Sequence, residues 1–94
     1  MVRVYHVKDS HAFSRDIPKP WQLTLVAKVD GTLEEAYHLT NHQEEAWNEV
    51  KDSRLEFLGK SEPRSTSVGD VMEMDGKFFQ VAGIGYKEIP TMLL

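Results

Sequence analysis

The 94-residue chain has no cysteine. That absence removes disulfides, thiolate metal sites, iron–sulfur ligation and thiol nucleophiles together, so the fold must stand on its core alone. It also fits a reducing, cytoplasmic setting better than a secreted one. Long hydrophobic runs are missing too: the most apolar stretch lies around Leu23 to Ala27, far short of the roughly 20 residues that a membrane-spanning helix needs. Met1-Val-Arg-Val-Tyr-His carries no continuous apolar segment of the kind an export signal requires. Neither export nor membrane insertion is expected. Positive charge is the third scarcity, with 11 Lys and Arg against 15 Asp and Glu and a net charge of -4. This is the wrong sign for a protein that gains affinity by releasing counterions from phosphates, and nucleic acid is a disfavoured partner.

What remains is enough for one domain spanning residues 1–94, because a chain of this length holds a single core. Its stability should be about 5–14 kcal/mol at 0.05–0.15 kcal/mol per residue, which leaves little room for strained sites. A hydrophobic content of 40%, with 10% aromatic residues, argues for a folded chain over a disordered one. The acidity is concentrated. Between Asp30 and Glu56 eight acids face only Lys51 and Arg54 (2 minus 8, or -6), while the remainder of the chain is mildly basic. The plain account of that segment is a solvated helix face; the functional one is a surface that steers towards a basic partner.

Val2 to Lys8, rich in β-branched and aromatic residues, reads as an opening strand. Asp9 to Pro20 is a loop, and Pro18 and Pro20 deliver the chain extended to Trp21. From Trp21 to Val29 apolar and polar residues alternate, which predicts a strand with Trp21, Leu23, Leu25, Ala27 and Val29 in the core. Thr32 with Glu35 is a capping-box pair that opens a helix over 32–50, amphipathic at 100° per residue. Gln43 and Glu44 interrupt its apolar stripe, so it forms either one helix or two, near 32–40 and 42–51, bent at Asn41-His42. The segment at 55–58 has room for a short strand. Residues 68–75 and 77–84 form a hairpin closed by Asp75-Gly76 as a type I′ turn, with Met72, Met74, Phe79 and Val81 on one face. A last short strand fits 86–89, ended by Pro90. The expected fold is therefore α+β: a small antiparallel sheet of about four strands (2–8, 21–29, 68–75, 77–84) packed against one amphipathic helix, bent or split.

Three constellations bear on chemistry. His38 and His42 stand four apart on one helix face with Glu34 and Glu45, close enough to share a divalent metal. They lack the intervening glutamate of a zinc-protease motif and point away from the presumed core, so a solvated polar face is the plainer account and no metal or cofactor is assigned. Arg64-Ser65-Thr66-Ser67 sets a cation beside three hydroxyls, able to hold an anion or simply to cap a turn. Neither this run nor Gly83-Ile-Gly85 has the lysine or the following helix of a nucleotide motif. Nothing in sequence pairs a histidine with Ser65 or Ser67 for nucleophilic catalysis. No catalytic residue is assigned. The large aromatics Tyr5, Trp21, Tyr37 and Trp47 are expected at the core or its rim.

The run Arg64-Ser-Thr-Ser-Val-Gly-Asp70, followed by Val71, Asp75-Gly-Lys77, Val81 and Gly85-Tyr-Lys-Glu88 and preceded by Thr40-Asn-His42 and Trp47, resembles a group of small proteins encoded by plasmids and by bacteriophages, notably those of actinobacteria. Tyr86 stands where that group usually has phenylalanine. The resemblance implies an origin and carries no catalytic residues over. Within the run, Gly69 and Asp70 suit a tight entry into the hairpin, and Arg64 is placed to anchor the loop on a carboxylate. The function expected is that of a non-enzymatic phage accessory protein, a monomer or homodimer, acting by contact with a host or phage protein in the host cytoplasm. Its candidate contact residues are Glu34, His38, His42, Glu45 and Glu49 on the helix and Arg64, Ser65, Thr66 and Ser67 in the loop. A nucleic-acid module using Arg64, Lys77 and Lys87, and a metal or small-ligand binder using His38 and His42, are the alternatives.

Overall fold

Valine and aromatic side chains suit a pleated, half-buried surface, and Val2–Val7 forms strand β1 with another strand on each side. The computed structural model describes residues 1–8, 16–41, 46–49, 51–59 and 63–93. After β1 come a 3-10 turn at Pro20–Gln22, β2 (Leu23–Val29), α1 (Leu33–Thr40), a second 3-10 turn at Trp47–Glu49, β3 (Leu55–Phe57), β4 (Val71–Met74), β5 (Lys77–Val81) and β6 (Tyr86–Ile89). The six strands make one antiparallel sheet in the order β3-β2-β1-β4-β5-β6. The α+β class is as expected, but the sheet has six strands where about four were expected. The short segments at 55–57 and 86–89 take its two edges, pairing with β2 and β5.

The hairpin follows its local signals. Asp75 (φ 53°) and Gly76 (φ 81°) both take positive φ, as a type I′ turn requires, and Met74 faces Lys77 while Met72 faces Phe79. Its strands are shorter than expected, 71–74 and 77–81. The capping box is also present: the Glu35 amide donates to Thr32 Oγ1 (3.2 Å) and the Thr32 amide donates to Glu35 Oε1 (3.0 Å).

Two expectations need correction. Of the two forms expected for 32–50, the single helix is ruled out and the split near Asn41 holds for its first half: α1 ends at Thr40, whose hydroxyl turns back onto the Ala36 carbonyl at 2.7 Å, and Asn41 leaves helical geometry at φ -127°, ψ 80°. In the expected second half, Trp47–Glu49 is a 3-10 turn; residues 42–45 and 50 lie outside the described residues. The alternation from Trp21 to Val29 also fails to keep one face. Val4 pairs with Ala27 and Tyr5 with Leu25, so Val26 is an extra residue in β2, a β-bulge. The bulge shifts the phase of everything before it. Ala27 and Val29 stay in the main core beside Val26, whereas Leu23 and Leu25 are only half buried against the opposite face. Trp21, placed in the 3-10 turn, is 70% exposed instead of buried.

The sheet consequently has two unlike faces. On one, Val2, Val4, Val26, Ala27, Val29, Met72 and Val81 pack with Ala36 and Leu39 of α1 and with Trp47. On the other, Tyr5, Val71, Phe78 and Ile89 form a smaller cluster, with Leu23, Leu25 and Met92 packed against it. Met92 thus docks the tail, while Leu93 beside it is 95% exposed.

Candidate functional site

His6 has the same phase along β1 as Val2 and Val4, so its ring enters the helix-side core and is only 7% exposed. There it meets Thr66, brought in by the loop before β4, and Thr40, the last residue of α1. The proton positions follow from what each group can donate. Ala36 O only accepts, so the Thr40 hydroxyl donates to it (2.7 Å); the Thr66 hydroxyl must then donate to Thr40 Oγ1 (2.8 Å). Each hydroxyl has one proton, so His6 Nε2 carries a hydrogen and donates to Thr66 Oγ1 (2.9 Å). Two backbone ties run alongside: the Thr66 amide donates to Thr40 O (2.8 Å), and Asn41 Nδ2 donates to Thr66 O (2.6 Å).

Next to this relay lies a clamp. Arg64 grips Asp70 with both ends of its guanidinium, Nη1 to Oδ2 at 2.6 Å and Nη2 to Oδ1 at 2.7 Å, and Nη2 also donates to Val7 O at 2.8 Å. The Val7 amide returns a bond to Asp70 Oδ1 (2.9 Å), and the Ser67 amide donates to Oδ2 (2.8 Å). Asp70, 1% exposed, therefore accepts four bonds, about the full capacity of a carboxylate. Gly69 permits this approach by taking φ 97°, a value that a side chain would disfavour. The Trp47 indole closes the cluster by donating Nε1–H to Arg64 O (2.8 Å), with its ring edge-on to His6 (centroids 6.1 Å apart, planes at 77°). Burial, assisted by the nearby Arg64 cation and opposed by Asp70, lowers the His6 pKa from 6.5 to about 4. The ring is neutral near neutral pH.

The candidate residues from the sequence divide sharply. Arg64, Thr66 and Ser67 are drawn together into this cluster, and the Ser65 carbonyl accepts from Arg64 Nη1 (3.1 Å) and Ser67 Oγ (3.1 Å). The carboxylate expected to anchor Arg64 is Asp70. Glu34 and His38 stay on the helix surface, 3.6 Å apart with side chains 76% and 73% exposed; Glu49 is exposed elsewhere, on the 3-10 turn. His42 and Glu45 lie outside the described residues. Among the described residues no three His, Asp or Glu side chains are grouped to hold a metal. The acidic segment is partly neutralised from within. Hydrogen bonds from Thr32 lower the Glu35 pKa, with help from Arg54, and hydrogen bonds from Arg54 lower that of Asp52 to about 2.

His6 and Thr40 were not singled out from sequence. The signal for His6 was its shared phase with Val2 and Val4; for Thr40, its place on the apolar stripe of α1. Of the three cations offered for nucleic acid, Arg64 is bound to Asp70. The pairing of Lys77 with Met74 and of Lys87 with Gln80 puts the other two on opposite faces of the sheet.

Away from the cluster, Tyr5, Pro20, Trp21, Leu23, Leu25 and Leu93 line an open groove of about 530 Å³. A second groove of about 420 Å³ lies against the β5–β6 turn, where Ile84 is 98% exposed. His6, Thr66, Arg64 and Asp70 line neither. Comparison with family models, curated proteins and solved structures finds no match to this chain.

Proposed function

We propose that this chain is a non-enzymatic accessory protein that acts by contact with another protein, through the sheet face edged by Trp21 and Leu93. One observation carries the reading: the residues with chemistry to offer are bound to one another inside the fold, whereas large apolar side chains stand outside it. Arg64 is bound to Asp70 and His6 to Thr66, and none of the four lines either groove. Trp21 and Leu93, 70% and 95% exposed, flank the groove over Tyr5, Leu23 and Leu25. Tryptophan is among the side chains enriched as interface anchors. The resemblance of the Arg64–Asp70 run to small phage and plasmid proteins supports a host or phage protein as the partner, met in the host cytoplasm.

Capture from a bacterial lysate tests this, with Trp21→Ser and a charge-matched unrelated protein as controls. A partner enriched by the wild type should bind Trp21→Ser more weakly by about 2 kcal/mol, roughly thirtyfold in Kd. Enrichment of nothing beyond the charge-matched control, or equal capture by Trp21→Ser, would count against the proposal.

A further inference from the structure

The cluster around His6 joins parts of the molecule that differ in how firmly they are held. β1 is paired on both sides, to β2 and to β4, and His6 lies within its ladder opposite Thr24. Helix α1 has eight residues, too few to persist without tertiary support, since isolated helices need about 12–15. Its carboxy-terminal end is tied to the loop before β4 by the Thr66 amide, the Thr66 hydroxyl and Asn41, and that loop reaches β1 through the His6–Thr66 bond and the Arg64–Asp70 clamp.

The charges leave no place for another proton. Among the described residues the charged groups that act on His6 are Asp70, which attracts an imidazolium, and Arg64, which repels it; α1, the Trp47 turn and β2 face it with Thr40, Trp47 and Thr24, none of them charged. Arg64 offsets the larger attraction of Asp70 only in part, so burial is what opposes the charge, and Asp70 already accepts four bonds. A second cation here is buried without a free acid to pair with, a costly state that the structure relieves by opening where it is weakest.

We propose that this cluster is an acid-operated latch: a proton on His6 releases the Arg64–Ser67 loop and the carboxy-terminal end of α1 from β1, while the six-stranded sheet stays paired. The release also frees the Trp47 indole from the Arg64 carbonyl. In the closed form burial lowers the His6 pKa to about 4, and a solvated ring returns to near 6.5. One proton couples to opening, so the opening equilibrium constant rises about tenfold for each pH unit lost between those values and levels off below them.

Residue-resolved NMR of the full chain from pH 7.5 to 4 tests the latch, following the His6 ring protons, the Trp47 indole N–H and the backbone amides. The expected result is that Thr40, Asn41, Thr66 and the Trp47 indole change together with the His6 titration, while Met72 and Phe79 in the hairpin keep their native shifts. His6→Gln, which retains a donor for Thr66 but cannot take the charge, should keep the latch closed over the same range. The proposal is overturned if the hairpin amides are lost at the same pH, if the loop signals do not move as His6 titrates, or if His6→Gln opens as the wild type does. Should His6→Gln not fold, the coincidence of the His6, Thr66 and Trp47 titrations in the wild type decides the matter alone.

Discussion

The two faces of one sheet have been completed in different ways. The helix side is closed by a short helix, an indole and a polar cluster in which the donors and acceptors of Thr40, Thr66, Arg64 and Asp70 are matched. The opposite side is closed by a few apolar side chains and a docked Met92, and leaves Trp21 and Leu93 in solvent. The contrast teaches where polar residues serve the fold and where apolar ones are left for something else. A loop of arginine and hydroxyl residues looks like a ligand site when read alone. Once Asp70 and His6 are placed beside it, it is a fastening.

The contrast should be visible in the size of mutational effects. The largest is expected for Asp70→Ala, which removes the carboxylate that pairs with Arg64 and accepts from the Val7 and Ser67 amides; loss of about 3–5 kcal/mol in urea unfolding is expected for a broken buried pair. Against a total of about 5–14 kcal/mol this brings the chain near unfolding. Gly69→Ala comes next. Its φ of 97° is strained for any side chain, and a loss of about 1–2 kcal/mol is expected by the same measurement. Thr32→Ala removes the amino-terminal cap of α1 and should cost about 1 kcal/mol. Trp21→Ser, on the opposite face, should change stability by less than about 0.5 kcal/mol. If Trp21→Ser proves as damaging as Asp70→Ala, the two faces do not differ in the way described.

What could be read in the sequence was what its neighbours decide locally. The Asp75-Gly76 turn and the Thr32–Glu35 box each depend on residues within a few positions, and both form as expected. The bulge at Val26 is different: apolar residues hold every odd position from Trp21 to Val29, Val26 is the one apolar residue in the other phase, and only pairing with β1 forces two residues to oppose one. That single slip moves Leu23 and Leu25 to the opposite face, while Trp21 falls before the strand, in the 3-10 turn. Arg64 was recognised as an anchor, but its partners Asp70 and Val7 lie 6 and 57 residues away. The His6–Thr66 contact spans 60 residues, and no local pattern reports a separation of that length.

Arg64 and Asp70 are bound to each other and to Val7, which makes them a fastening of the fold and not a site held open for a ligand. A double-mutant cycle with Arg64→Ala, Asp70→Ala and the double variant, measured by urea unfolding, tests it most directly. A strong coupling between the two residues, about 2–3 kcal/mol, is expected. Additive effects within about 0.5 kcal/mol, each small, would contradict it and return the loop to the surface as a site for binding.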